Sequence, residues 1–86
     1  MAWVYILRMG NEQLYIGSTV NFEKRIKYHT LGHTATTRRL KVKEVALKQE
    51  FKTLAEARSV ELKLKKLKRR DYIEKIVKEG YIKVQP

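Results

Sequence analysis

Residues 3–19 read WVYILRMGNEQLYIGST, two short runs rich in Val, Ile and Tyr on either side of the turn formers Gly10 and Asn11. The pattern predicts a β-hairpin whose arms, Trp3–Leu7 and Leu14–Gly17, carry one tyrosine each. Tyrosine is at home in a half-buried strand, because its ring packs and its hydroxyl reaches water. Whether the two phenols act together depends on register. A two-residue Gly10-Asn11 loop pairs Tyr5 with Ile16 and sends the tyrosines to opposite faces, since strand side chains alternate. A loop of odd length, such as Met9-Gly10-Asn11 with Arg8 opposite Glu12, sets Tyr5 across from Tyr15 on one face. The residues themselves leave both registers open.

Working outward, the stretch from Asn21 to Gly32 predicts a helix, with Asn21 as N-cap, Glu23 in an acidic first turn and Gly32 as the stop. At about 100° per residue Phe22, Arg25, Ile26 and His29 fall within one arc. A guanidinium and an imidazole thus share the inward stripe with two apolar anchors. His29 alone reads as a boundary histidine, but Arg25 four residues before it projects toward the same neighbour. Residues 32–42, GHTATTRRLKV, lack an apolar period and read as a loop. It is either a solvated connector or a flap that touches phosphate through Thr36, Thr37, Arg38 and Arg39. Glu44–Phe51 predicts a third strand, with Val45, Leu47 and Gln49 set against Ala46, Lys48 and Glu50.

Thr53-x-x-Glu56 is a capping box, and LAEARSVELKLKKLKRR, from Leu54, predicts a long helix with Leu54, Ala57, Val60, Leu64 and Leu67 on its apolar arc. Glu61 lies inside that arc. A carboxylate aimed at a core or cleft is costly unless a cation, a metal or a hydrogen-bond donor compensates it. It reads either as an inward salt bridge locking helix to helix, or as a single oxygen ligand to Mg²⁺, an ion that keeps several of its waters. The end of the helix, KLKKLKRR, contains Lys65, Lys66 and Arg69, and Lys75, Lys78 and Lys83 extend the basic run. A short final helix, Asp71–Glu79, ends at Gly80, and Tyr81–Val84 is a ragged terminal segment.

The 86 residues predict a single domain, 1–86, with one modest core. Lys and Arg outnumber Asp and Glu by 20 to 9, a net charge of +11. Such a surplus favours a polyanion, because each phosphate neutralised by Lys or Arg releases condensed counterions. The basic run then tracks a nucleic-acid backbone, setting affinity without reading sequence. No long apolar stretch or lipidation motif points to a membrane partner. With no cysteine, disulfides and thiolate metal sites are excluded, which is compatible with the cytoplasm and restricts any metal to oxygen or imidazole ligands.

WVYIL and LYIGST on either side of a turn, then Arg25 and His29 on a helix and Glu61 on a later one, resemble the GIY-YIG nuclease family. The likeness is greatest to small standalone members related to the excinuclease C N-terminal domain, and it runs from Trp3 to about Ile76. Trp3-Val4-Tyr5 stands at the first motif, with Trp and Val replacing Gly and Ile, and Tyr15-Ile16-Gly17 matches the second in full. The resemblance implies an α+β fold, a three-stranded antiparallel sheet flanked by helices, and metal-dependent endonucleolytic cleavage of DNA phosphodiester bonds in repair or recombination. It implies that Tyr5 and Tyr15 position and deprotonate the attacking water, that Arg25 binds the scissile phosphate, that His29 bonds a tyrosine or the water, and that Glu61 holds one Mg²⁺ or Mn²⁺. Gly17 would end the strand where substrate comes close, with Ser18 beside it, and Thr37, Arg38, Arg39, Lys65, Lys66 and Arg69 would contact the nucleic acid. The hairpin must then turn through an odd-numbered loop.

The chain departs from the pattern of some relatives at two places: Ser18 stands where a lysine follows the second motif, and Tyr72, Ile73 and Glu74 stand where an asparagine follows the glutamate. The alternative is a non-catalytic basic module that binds nucleic acid with the same fold, Glu61 serving as a salt-bridge partner. RNA shares the phosphodiester chemistry, and without an attached recognition domain a targeting partner would supply site selection.

Overall fold

The computed structural model describes residues 1–30, 41–67 and 69–84. Its elements run β1 (Ala2–Met9), β2 (Leu14–Thr19), α1 (Phe22–Thr30), β3 (Val42–Phe51), α2 (Leu54–Leu67) and α3 (Arg70–Glu79). The strands form one antiparallel sheet in the order β2-β1-β3, so the predicted α+β architecture is the observed one. The flap residues Thr36, Thr37, Arg38 and Arg39, and the stop at Gly32, lie outside the described residues.

Central β1 is apolar on both faces because both are covered. Ala2, Val4 and Ile6 join Leu47 beneath α2 and α3, where Ala57, Val60, Leu64, Ile73 and Ile76 complete an aliphatic core. Tyr5, Leu7 and Met9 form a second cluster on the opposite face, with Tyr15 and with Phe22 and Ile26 of α1.

The hairpin turns through three residues, Gly10, Asn11 and Glu12, between Met9 and Gln13. Glu12 N–H donates to Met9 C=O at 2.9 Å and Met9 N–H to Gln13 C=O at 2.8 Å. Glu12 takes the left-handed conformation (φ 70°) that closes such a loop, and Asn11 Oδ1 accepts from Gln13 N–H at 3.1 Å. The loop is odd-numbered, as the family resemblance demands, but it begins one residue later than Met9-Gly10-Asn11. Arg8 therefore pairs with Leu14 rather than Glu12, and Tyr5 with Gly17 rather than Tyr15. Same-face placement survives, since Tyr15 and Gly17 are two residues apart on β2.

Helix ends follow their local signals. Asn21 Oδ1 accepts from Lys24 N–H at 3.0 Å and Thr53 Oγ1 from Glu56 N–H at 3.1 Å. Gly80 (φ 86°) caps α3 by donating to Ile76 C=O at 3.0 Å. Three expectations fail for reasons beyond local sequence. Ala46 is an extra residue at a bulge between the Leu47–Ile6 and Val45–Leu7 pairs, which turns Val45 away from Leu47 and leaves it exposed. Leu67, at the end of α2, is exposed instead of completing the arc. The terminal segment is anchored: Ile82 is buried, its N–H donates to Gln49 Oε1 at 2.7 Å, and Gln49 Nε2 donates to its C=O at 3.3 Å.

Candidate active site

β1 and β2 present their phenols to α1. Tyr5, 2 % exposed, lays its ring over Gly17 and shares a 2.9 Å hydrogen bond with His29 Nε2. The His29 ring stands edge-on to both tyrosines, 5.7 Å from the Tyr5 ring centre and 5.0 Å from that of Tyr15. Phe22 closes the other side of Tyr5 at 6.0 Å. Gly17 is required by this packing, because a Cβ there would sit 2.5 Å from Tyr5 Cζ. Gly17 does not end the strand as expected: it is buried within β2, which continues to Thr19, with the Tyr5 ring packed against it.

Burial pushes the Tyr5 phenol up to about 12, with Tyr15 and Glu61 adding to the rise and Arg25 opposing it. At pH 7 such a group is ionised on the order of once in 10⁵ molecules. Burial, and then Arg25, holds the His29 imidazole below its ordinary 6.5, so it is neutral. Among the described residues His29 Nδ1 is buried without a hydrogen-bond partner. A bare acceptor is tolerated there better than an orphan N–H, which favours the tautomer in which Nε2 donates to Tyr5.

Arg25 is exposed rather than inward, because the face of α1 over the sheet is filled by Phe22, Ile26 and His29. Its guanidinium packs 5.6 Å from the Tyr28 ring centre, and the two line an open groove with Thr19, Val20, Asn21 and Lys24 at the end of β2. From there its charge reaches both Tyr5 and His29.

Glu61 comes to the same edge strand from the other face of the sheet. Ser18, on the α2 side of β2, donates its hydroxyl to Glu61 Oε1. Lys65, one turn along α2, pairs with Oε2 at 2.7 Å. The Glu61 side chain is 17 % exposed and close enough to bear on Tyr5. The reading of Ser18 as a nucleic-acid contact does not anticipate its bond to Glu61. Its signal was alternation: Ser18 shares a strand face with Leu14 and Ile16, which pack toward α2.

Tyr5, Tyr15, His29, Arg25 and Glu61 are thus gathered around β2, with Ser18 and Lys65 at Glu61. Arg69 is nearby, lining a groove with Lys65, Arg70, Gln13, Leu14, Ile16, Leu64 and Ile73. Lys66 is apart, about 180° around α2 from buried Ala57. Among the described residues no three His, Cys, Asp or Glu stand together as a metal cluster. The donor set around Glu61, a carboxylate and a hydroxyl, suits a hard cation that retains waters. No helix among the described residues is long and apolar enough to cross a membrane.

The model of the GIY-YIG catalytic domain matches residues 1–76. A UPF0213 protein of Clostridium perfringens is 44 % identical over 78 residues, covering 88 % of this chain and 83 % of that protein. Another, from Bacillus licheniformis, is 40 % identical over 83 residues, covering 91 % of this chain and 84 % of its own. No solved structure matches. With its tyrosine pair, α1 arginine and histidine and α2 glutamate arranged around one edge strand, the chain belongs to the GIY-YIG nuclease family.

Proposed function

We propose that the protein is a metal-dependent DNA endonuclease whose substrate backbone runs along the β2 edge. The observation that carries this reading is the Tyr5–His29–Tyr15 cluster, reached electrostatically by Arg25 from α1 and by Glu61 from α2. Arg25 would hold the scissile phosphate in the groove at Thr19 and Val20 and offset the charge that grows on it. Tyr5 is buried, bonded to His29 and protonated at neutral pH, which suits a positioning donor better than a base. Tyr15 is half-buried and therefore the phenol open to water, and we assign it, in its phenolate form, to take the proton of the attacking water and become the neutral phenol, a form that needs positive charge nearby such as Arg25 and the cation would supply. Glu61, aimed by the Ser18 hydroxyl, would hold Mg²⁺ or Mn²⁺, which when bound would supply Lewis-acid polarisation of the phosphoryl oxygen and charge to offset that of the leaving 3′ oxygen. Lys65 and Arg69 would follow the backbone without reading bases. The likeness to the excinuclease C domain supports repair or recombination as the setting.

One observation favours the second reading, a binding module without turnover: both Glu61 oxygens are already engaged within the chain. Plasmid and branched DNA incubated with Mg²⁺ or Mn²⁺ separate the two. The endonuclease reading expects cleavage by the wild type, and intact DNA with retained binding for Glu61→Ala. Equal binding and no cleavage by either protein would establish the module instead.

A further inference from the structure

Glu61 has two claimants of different kinds. Ser18 is a neutral donor on Oε1, fixed on the edge strand, whereas Lys65 is a full positive charge on Oε2 at the end of a flexible four-carbon stem. A divalent cation bound at Glu61 and the Lys65 ammonium 2.7 Å from Oε2 would repel each other across one carboxylate, so the two compete for it. The Lys65 side chain is 51 % exposed, so it can leave without unpacking α2. It also lines the groove that Arg69 and Arg70 border, where it would remain beside a bound polyanion. Arg69 is paired with Asp71 at 3.0 Å, and Arg70 donates to Glu12 C=O at 2.6 Å. Lys65 is the groove cation whose internal partner is the metal-site carboxylate itself.

We infer that Lys65 is a placeholder for the divalent cation: it neutralises Glu61 in the metal-free protein, releases Oε2 when the cation binds, and turns into the groove to meet a substrate phosphate. Ser18 stays on Oε1 and keeps the carboxylate aimed. This rests on the hydrolase reading for the identity of both ligands, but the two can fail separately.

Mn²⁺ binding to the full chain without DNA, followed by the resonance signal of free Mn²⁺, compares wild type with Lys65→Gln, Ser18→Ala and Glu61→Gln. Lys65→Gln is expected to tighten Mn²⁺ by about three- to fivefold, as removal of a competing ion pair should. Ser18→Ala is expected to weaken it about tenfold, as loss of a residue that orients a ligand does, and Glu61→Gln to abolish it. Unchanged or weaker binding by Lys65→Gln, or no Glu61-dependent binding in any form, overturns the inference. The second arm measures the salt dependence of DNA binding in the Tyr15→Phe background. Lys65→Gln should reduce the slope by about one phosphate contact in Mn²⁺ and leave it unchanged in EDTA. An equal slope in both conditions overturns the movement into the groove. Tighter Mn²⁺ binding together with no cleavage of any DNA would instead refute the hydrolase reading alone.

Discussion

On one face of the sheet Ala2, Val4, Ile6 and Leu47 lie under two helices and meet a mainly aliphatic core; on the other, Tyr5, Leu7 and Met9 lie under α1 with a second phenol and an imidazole. Both faces bury the same central strand, so the fold needs both. The aliphatic face gains from area alone, at roughly 25 cal/mol per Å² buried. The α1 face must also satisfy polar groups, and among the described residues His29 Nδ1 finds no partner there. The difference divides the labour: the aliphatic α2–α3 core holds the sheet, while the tyrosine–histidine cluster lies under α1 and Glu61 meets the edge strand from the α2 side.

Substitutions of matched severity test that division. Tyr15→Phe removes only an oxygen from a half-buried ring, and we expect cleavage to fall about 10²–10⁴-fold, the range for loss of a proton-transfer group, with little change in Tm. Leu64→Ala, in the fully buried aliphatic core, should cost about 2–5 kcal/mol in denaturant unfolding while leaving the cleavage rate of the folded fraction unchanged. A Tyr15→Phe protein that cleaves normally would remove Tyr15 as the base. A catalytic defect in folded Leu64→Ala would show that the two faces are coupled.

Gly17→Ala comes next, because it tests how the α1 face is built. The new Cβ would meet the Tyr5 ring, which Phe22 and His29 box in. Over-packing of this kind should cost about 1–3 kcal/mol and disturb the Tyr5–His29 bond, lowering both Tm and cleavage. Tyr5→Leu in the same chain should recover part of the Tm but not the activity. If Gly17→Ala is as stable as the wild type, the packing of the Tyr5 ring does not require a glycine at position 17.

What the sequence disclosed is what short-range chemistry decides. The hairpin, the caps at Asn21, Thr53 and Gly80, and the anomaly of Glu61 on an apolar arc could all be read within a few residues of each feature. The turn's exact start was not, because Glu12 adopts a left-handed conformation that no glycine advertised. Contacts between distant positions were also hidden: Ser18 with Glu61, Gln49 with Ile82, and Arg8 with Glu74 become neighbours only once the sheet and helices have assembled. Arg25 shows the limit of helical periodicity, which puts it on the inward stripe of α1, whereas its side chain is exposed and packs against Tyr28.

The smallest expected effect is a difference in how the two faces respond to acid. His29, buried under α1, has its folded pKa depressed below the ordinary 6.5. The stability that comes from keeping it neutral is complete above 6.5 and is lost as pH falls from there toward the folded value, because the unfolded chain takes up the proton first. On the α2–α3 side, Arg8 clasps Glu74 with two hydrogen bonds, of 2.8 and 3.3 Å, and holds its carboxyl below the usual 4.5. That contribution is complete above 4.5 and fades only as pH falls through the lower folded value. Thermal melts against pH should therefore show the wild type losing Tm first as His29 comes under pressure and then further below about 4.5 as Glu74 does. His29→Gln should flatten the first region and leave the second, and Glu74→Gln the reverse, with a modest loss of Tm at neutral pH because the pair is partly solvated. If both variants flatten the same region, acid is acting through another group, and the two faces do not titrate apart.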